Sequence, residues 1–444
     1  MMQPSPNWQA TLARFKPQQM QKLLGRDMGP CPKGKYRHWD NLRHLKAPDG
    51  FTSEQWWAAV KCARHMLRRN LPFLDTAGRP FGYVPVRELE ERLHRLDSRA
   101  TGRLAMPEAV ARPGHRDRYL ISSLIEEAVT SSQLEGAATT RRVAVDMLRS
   151  GRSPRDKDEQ MIFNNYLAMS QIRTWRDEPM TPERVSELHR MLTEDTLDDP
   201  DDAGRPQAPG EDRIAVYDNT NNRVLHHPPA AEYLPERMQA MCEFANRRFE
   251  SSEFLHPVLH AICLHFWLAW DHPFVDGNGR TARALFYWKM LQADYWLFEF
   301  ISISTVLRKS QGKYKRAFLE TETDDEDLTY FFLHQLDVIE QAVGELEAYL
   351  ERKQRQLSEA ERLLRVHGDL NHRQLSMLSH ALRNPDASYT VQSHQRSHGI
   401  VYATARSDLL GLVDKGLLIK SGHARKPQRF SVPSDLPDRV KSAT

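Results

Sequence analysis

Between residues 272 and 283 the chain reads HPFVDGNGRTAR, which brings together one imidazole, one carboxylate, one amide, two glycines and two guanidiniums. Taken alone, Asp276-Gly277 and Asn278-Gly279 are turn dipeptides that would suit a β-hairpin. The flanks argue against that, because an apolar helical run from Leu255 to Trp270 precedes them and Thr281 to Leu291 is helical again. The spacing therefore predicts a tight loop that feeds a helix N-terminus. Such a place offers backbone N–H groups with no intrahelical acceptor and the positive end of the helix dipole, which together hold an anion such as phosphate. Gly277 and Gly279 allow positive φ and a close approach of the backbone. Arg280 and Arg283, three apart in the first turn, can pair with further phosphate oxygens. Asp276 suits Mg²⁺, which commonly takes one or two carboxylates beside phosphate oxygens and water. Asn278 can donate to a phosphoryl oxygen, and His272, ahead of the anion site, is placed to take a proton from an incoming hydroxyl. This is a kit for attack on a bound nucleotide, and it lacks the Walker A lysine and the protein-kinase motifs.

Several elements must position that loop. Val258, Leu259, Ile262, Cys263, Phe266, Trp267, Leu268 and Trp270 make the helix before it apolar nearly all round, so it belongs at the centre of a domain. His256 and His260 on that stretch have a spacing that metal pairs use, but no third ligand follows, and they read as core or rim histidines. Tyr119 to Leu134 is a further helix, closed by Gly136, on which Ser131 and Glu135 share one face. Taken alone, that pair reads as polar residues facing solvent. Helices are also expected over Thr52 to Arg69, ended by Pro72, and over Asp156 to Trp175 and Thr181 to Leu192. Arg213 to Tyr217 and Arg223 to His226 are short strands around the turn Asp218 to Asn222, a hairpin whose edge could take up an extended peptide. From Leu328 a long helical pattern places Leu336, Ile339, Val343, Leu346 and Leu350 on one seam, for packing within the chain or for a homodimer, the first being expected.

The tail from about Asn371 differs in kind. Helices over Gln374 to Leu382, Val391 to Ser397 and Thr404 to Lys415 precede two strands, Leu417 to Lys420 and Gln428 to Val432, around the basic loop Gly422 to Pro427. This segment resembles a winged helix-turn-helix, a fold that contacts DNA through its third helix or serves as a protein-contact module. Arg406, Arg425, Lys426 and Arg429 could meet phosphates.

A chain of 444 residues, 40% hydrophobic, can bury two or three cores. Lys and Arg number 62 against 59 Asp and Glu, so the overall charge forces neither a nucleic-acid nor a membrane reading. The four cysteines lie far apart without a CxxC pair, and neither a secretion signal nor a membrane span is read. A reducing cytoplasm is the expected location.

The string at 272 to 283 is similar to the signature of the Fic (filamentation induced by cAMP) family, His-Pro-Phe-x-(Asp/Glu)-Gly-Asn-Gly-Arg-x-x-Arg, at every defined position. The resemblance implies a mainly α-helical Fic core over about residues 110–345, with the hairpin 213–226 as a flap that positions a target protein. Residues 1–109 are expected as an N-terminal helical segment, 346–370 as a helical linker, 371–434 as the winged helix-turn-helix and 435–444 as a tail. The implied activity is transfer of AMP from ATP to a Ser, Thr or Tyr hydroxyl of a protein. His272 would be the base, Asp276 the Mg²⁺ ligand and Asn278 an α-phosphate contact; Gly277 and Gly279 would form the anion hole, and Arg280 and Arg283 would hold the β- and γ-phosphates. Ser131 to Gly136 also resembles the family's inhibitory helix, (Ser/Thr)-x-x-x-Glu-(Gly/Asn). Glu135 would then pair with Arg283 and hold ATP unproductively. Removal of AMP, another nucleotidyl or phosphoryl transfer, or a mainly DNA-binding regulator are the alternatives.

Overall fold

The computed structural model describes residues 3, 5–18, 20, 28–100, 113–218, 223–247, 254–365, 370–384, 386–421 and 428–442. The basic loop at 422–427 and the hairpin turn at 219–222 lie outside them. The chain divides into two units, Met1–Ala105 with Gly114–Leu346, and Met106–Pro113 with Glu347–Thr444.

The first unit is helical with two small hairpins. In chain order it holds α1 (Trp8–Leu12), α2 (Trp39–Leu42), α3 (Ser53–Leu67), β1 (Arg69–Leu74), β2 (Pro80–Tyr83), α4 (Arg87–Ala100) and α5 (Pro113–Leu134). There follow α6 (Arg141–Ser150), α7 (Lys157–Thr174), α8 (Pro182–Thr193), β3 (Val216–Asp218), β4 (Arg223–His226), α9 (Leu234–Asn246), α10 (Pro257–Asp271) and α11 (Asn278–Gln292). Then come α12 (Ile303–Lys309), α13 (Gln311–Glu322) and α14 (Thr329–Arg365). α10 buries every residue from Val258 to Asp271 except Ala269, as an all-round apolar helix must. It starts with Pro257 at N1, where a missing N–H costs nothing, and His256 caps it by accepting the Val258 N–H at 3.3 Å. α11 is buried from Arg280 to Leu291, so the connection between these two core helices has little freedom.

One expectation needs correction. Residues 1–109 are not purely helical: Pro72, read as a helix stop, lies inside β1, which pairs with β2 around a register shift between Asn70 and Leu74. Proline is tolerated at such an irregular edge position because no ladder N–H is required there. This hairpin is no separate body, since Phe73 stacks on Trp267 with ring centroids 4.5 Å apart and Phe81 meets Trp270 at 5.3 Å, both on α10. α14 runs through 37 residues, Thr329–Arg365, and so enters the span expected as a helical linker at 346–370. Its Leu336, Ile339 and Val343 are buried in the chain's own core, which removes them from any dimer seam.

The second unit carries α15 (His372–Arg383), β5 (Ser388–Tyr389), α16 (Val391–His398), α17 (Tyr402–Asp414), β6 (Ile419–Ser421), β7 (Arg429–Ser431) and α18 (Leu436–Ser442). The strands form one antiparallel sheet in the order β5-β7-β6. Leu378, Leu409, Leu412 and Phe430 are fully buried at its centre. The tail at 435–444 is thus largely a helix, with Leu436 and Val440 in that core.

No described helix is long and apolar enough to cross a membrane. All four cysteines are free thiols, Cys242 and Cys263 in the interior.

Candidate active site

The turn between α10 and α11 is held by contacts that its sequence alone does not announce. His272 ends α10 in the left-handed region at φ 48, an uncommon conformation for a residue with a Cβ. Its N–H donates to the Leu268 carbonyl at 2.9 Å, and Arg213, at the foot of the β3–β4 hairpin, donates to the carbonyls of Asp271 at 2.7 Å and His272 at 2.9 Å. Such backbone strain persists where the surroundings over-determine it. Burial, and then the nearby His226 and Arg213, push the His272 imidazole down to about 3, so the ring is neutral near pH 7. Its Nδ1 is buried without a hydrogen-bond partner.

Gly277 caps α11 at φ 80, and a Cβ there would lie 2.6 Å from Thr193 Cγ2 and 3.0 Å from His189 Nε2, so only glycine fits. No side chain caps the start of α11, whose first N–H groups have no intrahelical acceptor. The Asp276 carboxylate is more than half exposed; Oδ1 accepts the Gly277 N–H at 2.6 Å and Oδ2 faces Arg280 at 3.2 Å. A single exposed carboxylate beside an anion-binding helix end fits Mg²⁺ held mainly by phosphate oxygens and water. Among the described residues no group of three or more His, Cys, Asp or Glu could hold a metal by itself.

Two motif side chains are engaged within the protein. Asn278 is buried, with Oδ1 accepting the Phe274 N–H at 3.0 Å and Nδ2 donating to the Phe274 carbonyl at 2.8 Å. Its amide closes the turn. Arg280 is turned inward with no exposed side-chain surface, donating to the Leu192 carbonyl at 2.9 Å and to Asp276, while its Nε is buried without a partner. Burial outweighs Asp276 and Glu135 and lowers its pKa from the usual guanidinium value. It braces the loop against the Leu192 carbonyl of α8.

Arg283 reaches across to α5. Its Nε donates to Ser131 Oγ at 2.9 Å, and its Nη2 donates to the Ser131 carbonyl at 3.1 Å and to Glu135 Oε1 at 2.8 Å. Burial disfavours the charge, but Glu135, Tyr314 and Glu127 together outweigh it and the guanidinium pKa is raised. Glu135 also overhangs the helix start: a Cβ placed on Gly279 would collide with its Oε1 and lie 3.0 Å from its Cδ. A carboxylate therefore sits where the uncapped N-terminus of α11 would receive an anion. Gly136, at φ 103, ends this segment just beyond α5.

Sequence reasoning missed three groups. Glu127, two turns before Glu135 on α5, is buried and accepts from Tyr287 Oη at 2.9 Å, Ser302 Oγ at 2.7 Å, the Ser304 N–H at 3.2 Å and Ser304 Oγ. His189 on α8 stacks on Phe274, ring centroids 3.7 Å apart and 6° from parallel; its pKa is held down at about 4, first by burial. His265 on α10 bonds Tyr314 Oη at 2.7 Å, next to Arg283. Each lies outside the motif and has a residue type that helices use freely, so no spacing marks it. His256 and His260 are not brought together as ligands: His256 Nε2 faces Asp97 at 3.0 Å and His260 Nε2 faces the Phe244 carbonyl at 2.7 Å.

Residues 179–290 match the model of the Fic/DOC family. Among curated proteins the chain is 28% identical over 200 residues to a protein adenylyltransferase Fic of Nematostella vectensis, covering 45% of this chain and 42% of that protein. It is 30% identical over 210 residues to one of Drosophila ananassae, covering 46% and 39%. The chain spans about two fifths of the length of the curated relatives it matches. Among solved structures, a Fic family protein from Desulfovibrio desulfuricans G20 superposes with a TM-score of 0.54 at 17% identity, over 79% of this chain and 98% of that one, a likeness of fold.

Proposed function

We propose that this chain, which carries a Fic domain matched over residues 179–290, is a protein adenylyltransferase held off by its own Glu135. The observation that supports this most is the carboxylate of Glu135 over Gly279 and on Arg283, an anion already seated at the helix end that would receive phosphate. When Glu135 withdraws, Arg283 is left with one buried positive charge for a polyphosphate, still oriented by Ser131. The α-phosphate then falls to the open N–H groups at the start of α11, since the Asn278 side chain is engaged in the turn. The neutral His272 takes the proton of a Ser, Thr or Tyr hydroxyl as its oxygen attacks the α-phosphorus; the bond to pyrophosphate breaks, and AMP remains on the hydroxyl. Mg²⁺ held at Asp276 would neutralise phosphate charge. β3 pairs only with β4 among the described residues, so its outer edge is free to align an extended target segment.

The test is AMP incorporation from labelled ATP, read by the mass added. Glu135→Gly is expected to raise it ten-fold or more, on the order of 1.4 kcal/mol of relieved competition, and His272→Ala in that background to abolish it while ATP still binds. Equal labelling with and without Glu135 would remove the inhibitory role, and an added mass other than AMP would redirect the reading to another transfer.

A second reading concerns the C-terminal unit, which we propose to be a winged helix that contacts duplex DNA. Residues 371–442 contain eleven Lys and Arg against five Asp and Glu. Asp408 and Asp435 are neutralised locally by Arg373 and Arg439. Arg396, Arg406, Lys420 and Arg429 are exposed and make no ion pair among the described residues. Val401 and Tyr402, at the start of α17, are 67% and 54% exposed where a recognition helix meets bases.

A further inference from the structure

We propose that His189, outside the motif, is a positioning residue that sets the anion site by tethering the Asp276 carbonyl; this rests on the nucleotide-site reading above. The ring lies in the interior of α8 and is fully buried. Its Nδ1 accepts the Gly204 N–H at 2.9 Å. That acceptor role places the ring proton on Nε2, which donates to the Asp276 carbonyl at 2.7 Å. One face of the ring lies flat on Phe274, 3.7 Å away. His189 thus joins α8, the segment at Gly204 and both ends of the 274–276 turn through three different kinds of contact.

The consequence follows from the planarity of the peptide unit. Holding the Asp276 oxygen fixes the direction of the Gly277 N–H on the other side of the same peptide, the group that Asp276 Oδ1 accepts. It also fixes the entry into Gly277, whose carbonyl receives the Thr281 N–H at 3.0 Å and Thr281 Oγ1 at 2.9 Å. The first turn of α11, with the open N–H groups that would meet phosphate, is therefore aimed by a side chain that touches no substrate. With both nitrogens engaged, His189 has no free atom for proton transfer, which separates its role from that of His272.

The test compares three substitutions in the full chain carrying Glu135→Gly. In His189→Gln the amide nitrogen falls where Nε2 is and keeps the tether; in His189→Asn the amide reaches only the Gly204 side; His189→Phe keeps the stack and the volume but neither bond. Melting temperature, binding of inorganic pyrophosphate and of ATP by calorimetry, and kcat and KM for AMP incorporation are measured for each. The expected result is Gln within about three-fold of the parent, with Asn and Phe losing about ten-fold or more in kcat and in pyrophosphate affinity, a range typical of misplaced catalytic geometry. Phe equal to or better than Gln would show that His189 only fills space, and Gln as impaired as Asn at an unchanged melting temperature would equally overturn the tether. If the Glu135→Gly parent incorporates no AMP, the adenylyl-transfer reading fails, and the order of pyrophosphate affinities still decides the proposal.

Discussion

Arg283 holds the Glu135 carboxylate, and in the proposed mechanism a phosphate would contest that place by local electrostatics. Its Ser131 contacts come from α5 itself, whereas Glu135 lies just past the end of that helix, so they would hold its orientation with either anion. Buried and partly buried histidines are the other charge-sensitive groups. Burial holds His38, His189 and His334 down to about 4 and His265 and His272 down to about 3, against an ordinary 6.5. Each depressed group is neutral in the native state while its unfolded counterpart takes up a proton below 6.5. Their stabilisation is therefore complete above about pH 6.5 and is lost as pH falls towards the folded values. Urea midpoints measured at pH 7, 6 and 5 should decline in that order; a midpoint that does not move would contradict the burial assigned to these rings.

At the scale of elements, α5 is tied to the core at two points one helical repeat apart on α11, Glu127 to Tyr287 and Ser131–Glu135 to Arg283. The Glu127 tie also gathers Ser302 and Ser304 at the start of α12, so it is the firmer of the two. Glu135 lies just past the last helical residue, with its N–H on the Ser132 carbonyl at 3.1 Å, and the helix closes behind it through Gly136 and Ala137, whose N–H groups donate to the Gln133 and Ser132 carbonyls. Glu127→Gln turns a pure acceptor into a group that places an NH₂ against donors, at a cost of about 1–3 kcal/mol. With Glu135 intact it should lower stability and raise self-labelling several-fold; unchanged labelling would mean that the Arg283 pair alone keeps the helix end in place. The positions of α5, α10 and α11 were legible from apolar spacing. β1 and β2 were not, because a proline that reads as a stop is also compatible with a bulged edge strand. β5 has two residues, too few for any period to show.

At the scale of the molecule, the charge is unevenly shared. The whole chain carries a formal +3, whereas residues 371–442 hold six more basic than acidic side chains, so the remainder is slightly acidic. A duplex would meet the C-terminal unit first. Binding of the full chain to duplex DNA should weaken linearly in log K against log salt, and Arg406→Glu with Lys420→Glu should reduce that slope by about 0.9 for each phosphate that is no longer neutralised. Absence of binding at about 50 mM salt, or charge reversals that leave it unchanged, would assign the unit to a protein partner.

The amino-acid sequence by itself determined the kit and its order: His272, Asp276, the two glycines and Arg283 lie on one loop and one helix start, a neighbourhood that chain connectivity guarantees. It also marked Ser131 and Glu135 as a pair on one face, since helix geometry is local. What it did not decide is which partners each guanidinium takes, since both Arg280 and Arg283 are buried and differ in what surrounds them, Leu192 and Asp276 for one and Ser131 and Glu135 for the other. Nor did it show that Asn278 closes the turn on Phe274, or that His189, more than eighty residues earlier, holds Asp276. Those assignments depend on contacts between distant segments, and only tertiary packing brings distant segments together.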